Sequence, residues 1–432
     1  MTTRIVIVGG GAGGLELATA LGRKLGKRGK AQITLVDRNP THLWKPLLHE
    51  VATGALDSSV DQISYPAVAR QKHFRFVLGE FCGLNRREQT IRLSPMYDDD
   101  GEPVLPEREL PYDYLVLAIG SVTNDFSIPG VSDHCVFLDS PDQAQRFHRA
   151  FLAALMRTNN ERAHDSDARV RIPIVGGGAT GVELAAELVH AAETVQEYGF
   201  SRVDRHMIDI TLIEAGPRLL PALPERISVD TRRELESLGV RVRLDTRVTQ
   251  AQPDRLVDQN GQELHGDLMV WAAGVRGPDL MDHLDGLTLH PNKLLKVSAT
   301  LQSVDDPAIF ALGDCAACPQ GEKFVPPRAQ SAHQMANHLV RNLQRAMAGE
   351  SLAPFRYVDH GSLVNLSQYS AVGTLMGGLS RGTLRVEGRL ARLMYVSLYR
   401  MHQIAVYGWT RGLLIALTDR LHRAFRPKLK LH

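Results

Sequence analysis

The stretch Ile5-Val6-Ile7-Val8-Gly9-Gly10-Gly11-Ala12-Gly13-Gly14-Leu15-Glu16-Leu17-Ala18 has a counterpart in Ile172-Pro173-Ile174-Val175-Gly176-Gly177-Gly178-Ala179-Thr180-Gly181-Val182-Glu183-Leu184-Ala185. Each copy reads as an apolar strand, a GxGxxG turn and the start of a helix. The spacing has a physical cause. The first Gly makes the tight turn, the second lets backbone approach a pyrophosphate, the third lets helix pack on strand, and the helix N-terminus faces the anion. Downstream, Leu35-Val36-Asp37 and Leu212-Ile213-Glu214 each end a second strand on an acid, placed to accept hydrogen bonds from a ribose diol. One such turn arises often for structural reasons alone, whereas two complete units predict two dinucleotide sites. The usual use for two dinucleotides in one chain is hydride transfer between a nicotinamide and a flavin.

The 432 residues suffice for two to three domains with full cores. A hydrophobic content of 44%, with 23% charged residues, excludes a disordered chain and fits an α/β fold. Four scattered cysteines are too few for a disulfide scaffold, so a reducing compartment is expected. The N-terminus enters its first strand by Arg4 without a signal-peptide pattern, which predicts a cytoplasmic location. The net charge of +2 hides an asymmetry: residues 389–432 hold nine Lys or Arg against Asp419 alone, leaving −6 for the remainder.

Along the chain, the apolar run Tyr112 to Ser121 closes the first unit at Gly120, and Leu268 to Val275 closes the second at Gly274. Asp98 to Glu109, with Pro103 and Pro106, reads as an exposed hairpin connection. A helix is expected from about Ser140 to Arg157. Ala308 to Asp314 is a further apolar strand ending in Gly313-Asp314, and a helix is expected to start at Pro327 and run to about Ala348. Residues 354 to about 388 read as β-rich.

Gly9 to Gly14 with Asp37, Gly176 to Glu183 with Glu214, Gly313-Asp314 and Ala329-Gln330-Ser331-Ala332-His333-Gln334 together resemble the type II NADH dehydrogenases, the non-pumping NADH:quinone oxidoreductases. The resemblance covers essentially the whole chain and is nearest to bacterial respiratory members with a basic C-terminal tail. It implies an α/β fold of two Rossmann-like dinucleotide-binding domains plus C-terminal amphipathic membrane-anchoring helices. The implied order is an FAD-binding domain (1–130 and 291–350), an NADH-binding domain (131–290), a small β-rich region (351–388) and a basic anchor (389–432). On that basis Gly9, Gly11, Gly14, Asp37, Gly313 and Asp314 are assigned to non-covalent FAD, and Gly176, Gly178, Gly181, Glu214 and Gly274 to NADH. Gly120, Ala329 and Gln330 complete the cofactor-binding set. Gln330 and Gln334 resemble the pair lining a quinone pocket, and Glu183 resembles the carboxylate at the junction of nicotinamide and flavin. The resemblance places the chain on the cytoplasmic face of the bacterial inner membrane. The expected partners are a membrane quinone and an anionic lipid surface, with no nucleic acid and no bound metal; a homodimer is compatible with the sequence.

Physical chemistry weighs these assignments individually. A carboxylate at Glu214 favours NADH and repels a 2′-phosphate, although Arg218 nearby offsets that charge, and the bland alternative is a solvated strand-end acid. Glu183 lies in a first helical turn, where the macrodipole favours any acid, and Glu16 occupies the equivalent place in the first unit. Gln330 and Gln334, at i and i+4, share one helix face and can turn two amides toward one pocket, or simply form a polar face. Cys315-Ala316-Ala317-Cys318 lacks the second pair that zinc needs. Sulfide:quinone reductases need cysteines beside the flavin on both sides of the pocket, and none follows Cys318, so small buried cysteines are expected. His42, His49 and His402 carry no assigned role.

In the tail, Leu390, Leu393, Met394, Leu398, Met401 and Ile404 fall within an arc of roughly 140° at 100° per residue. Leu413, Leu414, Leu417, Leu421 and Phe425 repeat the pattern opposite Arg411, Arg420, Arg423 and Arg426. The uncharged run Met401 to Thr410 is far short of the ~20 residues that cross a bilayer. A surface-lying anchor is expected, with partner binding or a packed helix pair as the alternative. Two other functions stay open: a soluble flavin reductase feeding a ferredoxin-like protein, and a membrane-bound NADH-sensing flavoprotein.

Overall fold

The computed structural model describes residues 2–58, 61–98, 100–198, 207–366, 370–376, 383–387 and 399–425. Two parallel sheets organise it. In the first, the strands run in the order Ile309–Ala311, Tyr114–Leu117, Thr3–Val8, Ala31–Asp37, Arg75–Leu78. In the second, the order is Arg241–Arg243, Ile208–Ile213, Val170–Val175, Val270–Trp271. The fingerprint strands sit inside each sheet, and their last four residues, Ile5–Val8 and Ile172–Val175, are apolar and buried without alternation. Ile5, Ile7, Leu15, Leu17, Ile172, Ile174 and Leu184 are fully buried, each such side chain contributing ~1.5–3 kcal/mol.

Local chemistry sets the helix starts. Helix Ala12–Lys24 begins at Gly11, ends on Arg23 and Lys24, and packs along helix Ala329–Met347, the basic pair complementing the C-terminal dipole. Helix Pro141–Glu161 is longer than its sequence pattern suggests; Ser140 caps it by accepting from the Gln143 N–H, and Pro141 opens it. Helix Ala329–Met347 starts two residues later than expected. Arg328 takes an extended φ of −148° as the N-cap, which holds Pro326 and Pro327 outside the helix.

Each parallel sheet carries a three-stranded antiparallel satellite: Phe81–Asn85, Thr90–Leu93 and Arg108–Pro111 in the first half, Val248–Gln252, Arg255–Asp258 and Glu263–His265 in the second. The acidic stretch forms the expected hairpin, Met96–Tyr97 pairing with Pro103–Leu105. The exits of the two closing strands pair with each other, Val122 with Arg276 and Thr123 with Val275, so the two halves are hydrogen-bonded just past Gly120 and Gly274. Gly361–Leu366, Ser370–Met376 and Thr383–Glu387 form an antiparallel sheet.

In the tail, residues 399–407 are helical and Trp409–Phe425 is a helix. Leu390, Leu393, Met394 and Leu398 lie outside the described residues, as do the side chains beyond residue 418. Leu413, Leu414 and Leu417 are exposed beside Trp409 and Met401. Among the described residues no helix is long and apolar enough to cross a membrane.

The third fingerprint glycine fixes helix against strand. A Cβ on Gly14 would stand 1.9 Å from the Gly9 carbonyl oxygen, and one on Gly181 would stand 2.1 Å from that of Gly176, whereas one on Gly11 meets nothing within 4 Å. Gly14→Ala is therefore expected to destabilise the fold by ~2–3 kcal/mol through overpacking, and Gly11→Ala by no more than ~1 kcal/mol. Denaturant melts of the two variants check the contrast, which equal losses would abolish.

Candidate active site: two cradles in one cleft

Each strand-end acid holds its own glycine turn. Asp37 accepts from the Gly10 N–H at 2.6 Å with one oxygen and from the Asn39 N–H at 2.8 Å with the other. Glu214 repeats this on the Gly177 and Gly216 N–H groups, both at 2.7 Å. Burial raises the Asp37 pKa, and the backbone donors only partly counter it. The Tyr65 hydroxyl donates to the Gly10 carbonyl at 2.8 Å and braces the first turn from behind. Each carboxylate oxygen keeps a lone pair for a further donor. Gly11 and Gly178 face open space in the cleft, as a turn built to receive a pyrophosphate requires.

Both cradles open into one continuous cleft of about 1680 Å³. Gly9, Gly11, Asp37, Gly120, Gly178, Glu183, Gly274, Gly313, Asp314, Ala329, Gln330 and Gln334 line it. Gly14, Gly176, Gly181 and Glu214 are not among its lining residues; they shape the glycine turns that do line it. Arg218 does not reach toward Glu214; its guanidinium donates to the carbonyls of Leu223 at 2.8 Å and Pro221 at 2.7 Å.

Asp314, at the end of the Ile309–Ala311 strand, is bonded by the Ser121 hydroxyl at 3.1 Å. Burial raises its pKa against the pull of Lys45. Lys45 donates to the Ser121 carbonyl at 2.9 Å and to Asp139 at 3.2 Å, which sets a cation in the wall of the cleft. No spacing rule singles out Lys45, because its partners Ser121 and Asp139 lie 76 and 94 positions away in the chain.

Glu183 is buried in the second fingerprint helix with His49 Nδ1 at 3.8 Å. Burial pushes the His49 pKa down to about 4, so this contact is not an ion pair at neutral pH. Glu16, the equivalent residue of the first fingerprint, is engaged more fully. Its two oxygens accept from His333 Nδ1 at 2.5 Å and His402 Nδ1 at 2.8 Å. Burial alone would raise the Glu16 pKa; the two histidine hydrogen bonds outweigh it, and the pKa is lowered. Glu16 raises the pKa of His333 in turn. His402 lies between Trp44 and His42, with ring centroids at 4.5 and 4.9 Å.

Gln330 and Gln334 share a face as their spacing requires, but both amides are engaged by the segment that follows the helix. Gln330 Nε2 donates to the Gly361 carbonyl at 3.0 Å and to Asp359 at 3.3 Å. Gln334 clasps Val358, donating to its carbonyl at 2.8 Å and accepting from its N–H at 3.0 Å. Cys315 and Cys318 are buried free thiols, pushed by burial to a pKa of about 11, and so are poor nucleophiles.

Residues 3–336 match the family described as pyridine nucleotide-disulphide oxidoreductase. The chain is similar to a type II NADH:quinone oxidoreductase of Haemophilus influenzae, at 48% identity over 99% of both chains. A type II NADH:quinone oxidoreductase of Staphylococcus aureus is 30% identical over 87% of this chain and 90% of its own length. In fold, the chain resembles NDH2 from Plasmodium falciparum solved in complex with NADH, with a TM-score of 0.78 and 20% identity over 94% of this chain and 97% of that one. The sulfide:quinone oxidoreductase of Aquifex aeolicus follows with a TM-score of 0.71 and 18% identity over 94% and 92%.

The Glu16 cluster sets a pH window for stability. A lowered carboxylate pKa contributes stability above pH 4.5 that is lost as pH falls, and a raised imidazole pKa contributes stability below pH 6.5 that is lost as pH rises. Glu16→Gln should therefore cost ~1–3 kcal/mol, most between these two values, with the deficit shrinking at alkaline pH. Thermal melts across pH 4 to 9 test it; a deficit that does not vary with pH would contradict the electrostatic account.

Proposed function

This chain belongs to the pyridine nucleotide-disulphide oxidoreductase family and, within it, to the type II NADH:quinone oxidoreductases, and on that premise we propose how its residues divide the work. The enzyme is FAD-dependent and catalyses NADH + H⁺ + quinone → NAD⁺ + quinol. The observation that carries the division is the pair of equivalent cradles, one ending on Asp37 and one on Glu214, that open into a single cleft. When bound, FAD would supply the two-electron redox chemistry that links NADH to the quinone.

Gly9, Gly11, Gly14 and Asp37 hold the FAD pyrophosphate and ribose; Gly120, Gly313, Asp314 and Ala329 border the rest of that cofactor. The open space at Gly11 and the buried Asp314 carboxylate, bonded by Ser121, suit such a group. Gly176, Gly178, Gly181, Glu214 and Gly274 hold NADH in the same manner. Glu183, backed by the neutral His49, positions the nicotinamide where the cradles meet. The N-terminus of helix Ala329–Met347 and Lys45 supply positive potential at the flavin end of the cleft. Gln330 and Gln334 act by holding segment 358–361 as the quinone-side wall, since their amides are already bonded there.

The protein is membrane-associated. We assign its attachment to the exposed face of Leu413, Leu414 and Leu417 with Trp409, lying on the cytoplasmic surface of the inner membrane and helped by the basic residues that follow in sequence. This arrangement is compatible with a homodimer that presents both anchors to one surface.

Purified protein should show a flavin spectrum and oxidise NADH with short-chain quinones. A 2′-phosphate meets the Glu214 carboxylate without help from Arg218, so kcat/KM for NADPH should be lower by ~10–100-fold; comparable efficiencies would refute the role of Glu214. Replacing Leu413, Leu414 and Leu417 together by Glu should move the protein from the membrane to the soluble fraction while leaving NADH:ferricyanide activity intact. Unchanged sedimentation with membranes would refute the anchor.

A further inference from the structure

Residues 17–36 and 65–79 hold eight Lys or Arg and no acid, although residues 1–388 carry −6 overall. Folding brings the two stretches together. Helix Ala12–Lys24 ends beside the end of helix Tyr65–Lys72: a Cβ on Gly22 would stand 2.2 Å from the Lys72 carbonyl oxygen, and one on Gly26 would stand 2.1 Å from that of His73. Only glycine lets the chain approach so closely. Arg23 and Lys24, the turn that carries Lys27 and Arg28, and Arg70 form one exposed basic cluster, and none of these residues lines the cleft.

The tail meets the body at this cluster. Lys72 Nζ donates to the Tyr407 carbonyl at 2.9 Å, and the Arg411 guanidinium donates to the Gln71 side chain. Burial and the like charges of Arg23 and Arg411 lower the Lys72 pKa, so these cations crowd one another. Arg411 and Leu414 stand three residues apart on helix Trp409–Phe425 and are neighbours on its surface, so the exposed leucine face begins one turn from the basic cluster. Surface cations are ordinarily interspersed with acids. Among the described residues, no carboxylate pairs with Arg23, Lys24, Lys27, Arg28, Arg70 or Arg411. Their mutual repulsion is relieved by an anionic surface, and the neighbouring apolar face suits a surface made of lipid.

We propose that this cluster is a second membrane contact, which docks the body of the protein on anionic phospholipid headgroups beside the leucine face. Leu413, Leu414 and Leu417 enter the interface, and the guanidinium and ammonium groups of the cluster meet the headgroup phosphates. Two contacts fix the tilt of the body, which a single anchor leaves free. The helical residues 399–407 run from Tyr399, Met401 and His402 on the cleft lining to Tyr407 at the cluster, a rise of ~12 Å. Docking at the cluster therefore holds that end of the cleft close to the lipid in which quinone dissolves. The inference rests on the membrane attachment proposed above.

The test uses the full-length holoenzyme and vesicles of phosphatidylcholine with and without added phosphatidylglycerol. Wild type is compared with the variant Lys24→Gln, Lys27→Gln, Arg28→Gln, Arg70→Gln, with an exchange of Lys for Arg and Arg for Lys at the same four positions, and with the leucine variant described above. The Gln variant should bind phosphatidylglycerol vesicles about 10–100-fold more weakly than wild type, each charge at the headgroups being worth about fivefold before screening by salt. On neutral vesicles the two should agree within about twofold, and the exchange variant should match wild type on both. With phosphatidylglycerol vesicles, the KM for a long-chain quinone should rise in the Gln variant while ferricyanide turnover is unchanged. Wild-type affinity of the Gln variant for phosphatidylglycerol vesicles overturns the proposal. So does an equal loss on neutral vesicles, or an exchange variant as weak as the Gln variant. Lost binding to a DNA duplex beside unchanged binding to phosphatidylglycerol assigns the cluster to nucleic acid and overturns it too. A leucine variant that binds neutral vesicles as tightly as wild type removes the parent reading; a leucine variant released from them, beside a Gln variant with wild-type affinity for phosphatidylglycerol, removes this inference only.

Discussion

Both nucleotide cradles depend on one interaction used twice: a carboxylate at the end of the second strand accepts the N–H of the middle fingerprint glycine. Asp37 to Gly10 and Glu214 to Gly177 are short contacts between a charged acceptor and a backbone donor, which makes them stronger than neutral hydrogen bonds. They tie the turn to the neighbouring strand, so the first helix turn and the acid hold fixed positions relative to each other. The pairing of Val122 with Arg276 joins the exits of the two closing strands and sets one cradle beside the other across a shared cleft.

The duplication is broken two residues past the third glycine. Glu16 and Glu183 occupy equivalent positions, yet their surroundings differ. Glu183 lies near one deeply buried histidine held neutral, whereas Glu16 is bonded by two histidines from later parts of the chain. Burial pushes any carboxyl toward its neutral form, and two imidazole donors reverse that for Glu16. The same local sequence thus yields two different electrostatic sites. Glu16 also links the first fingerprint helix to helix Ala329–Met347 and to the helical residues 399–407, which lead to helix Trp409–Phe425. Lys72 adds a further tie, donating to the Tyr407 carbonyl at 2.9 Å.

Much of the fold was legible because its signals are local. The glycine turns, the strand-end acids, the hairpin at Met96–Leu105 and the start of the helix near Ser140 each depend on residues within a few positions of one another. The exposed leucine face of Trp409–Phe425 also follows from helical spacing. Other features were not legible. Gln330 and Gln334 do share a face, but their amides bond Val358 and Gly361 because the chain after the helix folds back along it. Arg218 turns to the 221–223 carbonyls rather than to Glu214. His402 drew no assignment because nothing near it in sequence gives it a partner; its partner is Glu16, almost the length of the chain away.

The sequence by itself determined two dinucleotide cradles, the acid that closes each and an amphipathic basic tail, since these follow from backbone sterics, short-range hydrogen bonds and helical period. The tertiary structure alone decided that the cradles share a cleft, that the two glutamines brace a wall, and that Glu16 gathers His333 and His402. Those contacts join residues from about two dozen to almost four hundred positions apart, and burial and hydrogen bonding fix the charge of a group only once the distant parts of the chain have packed around it.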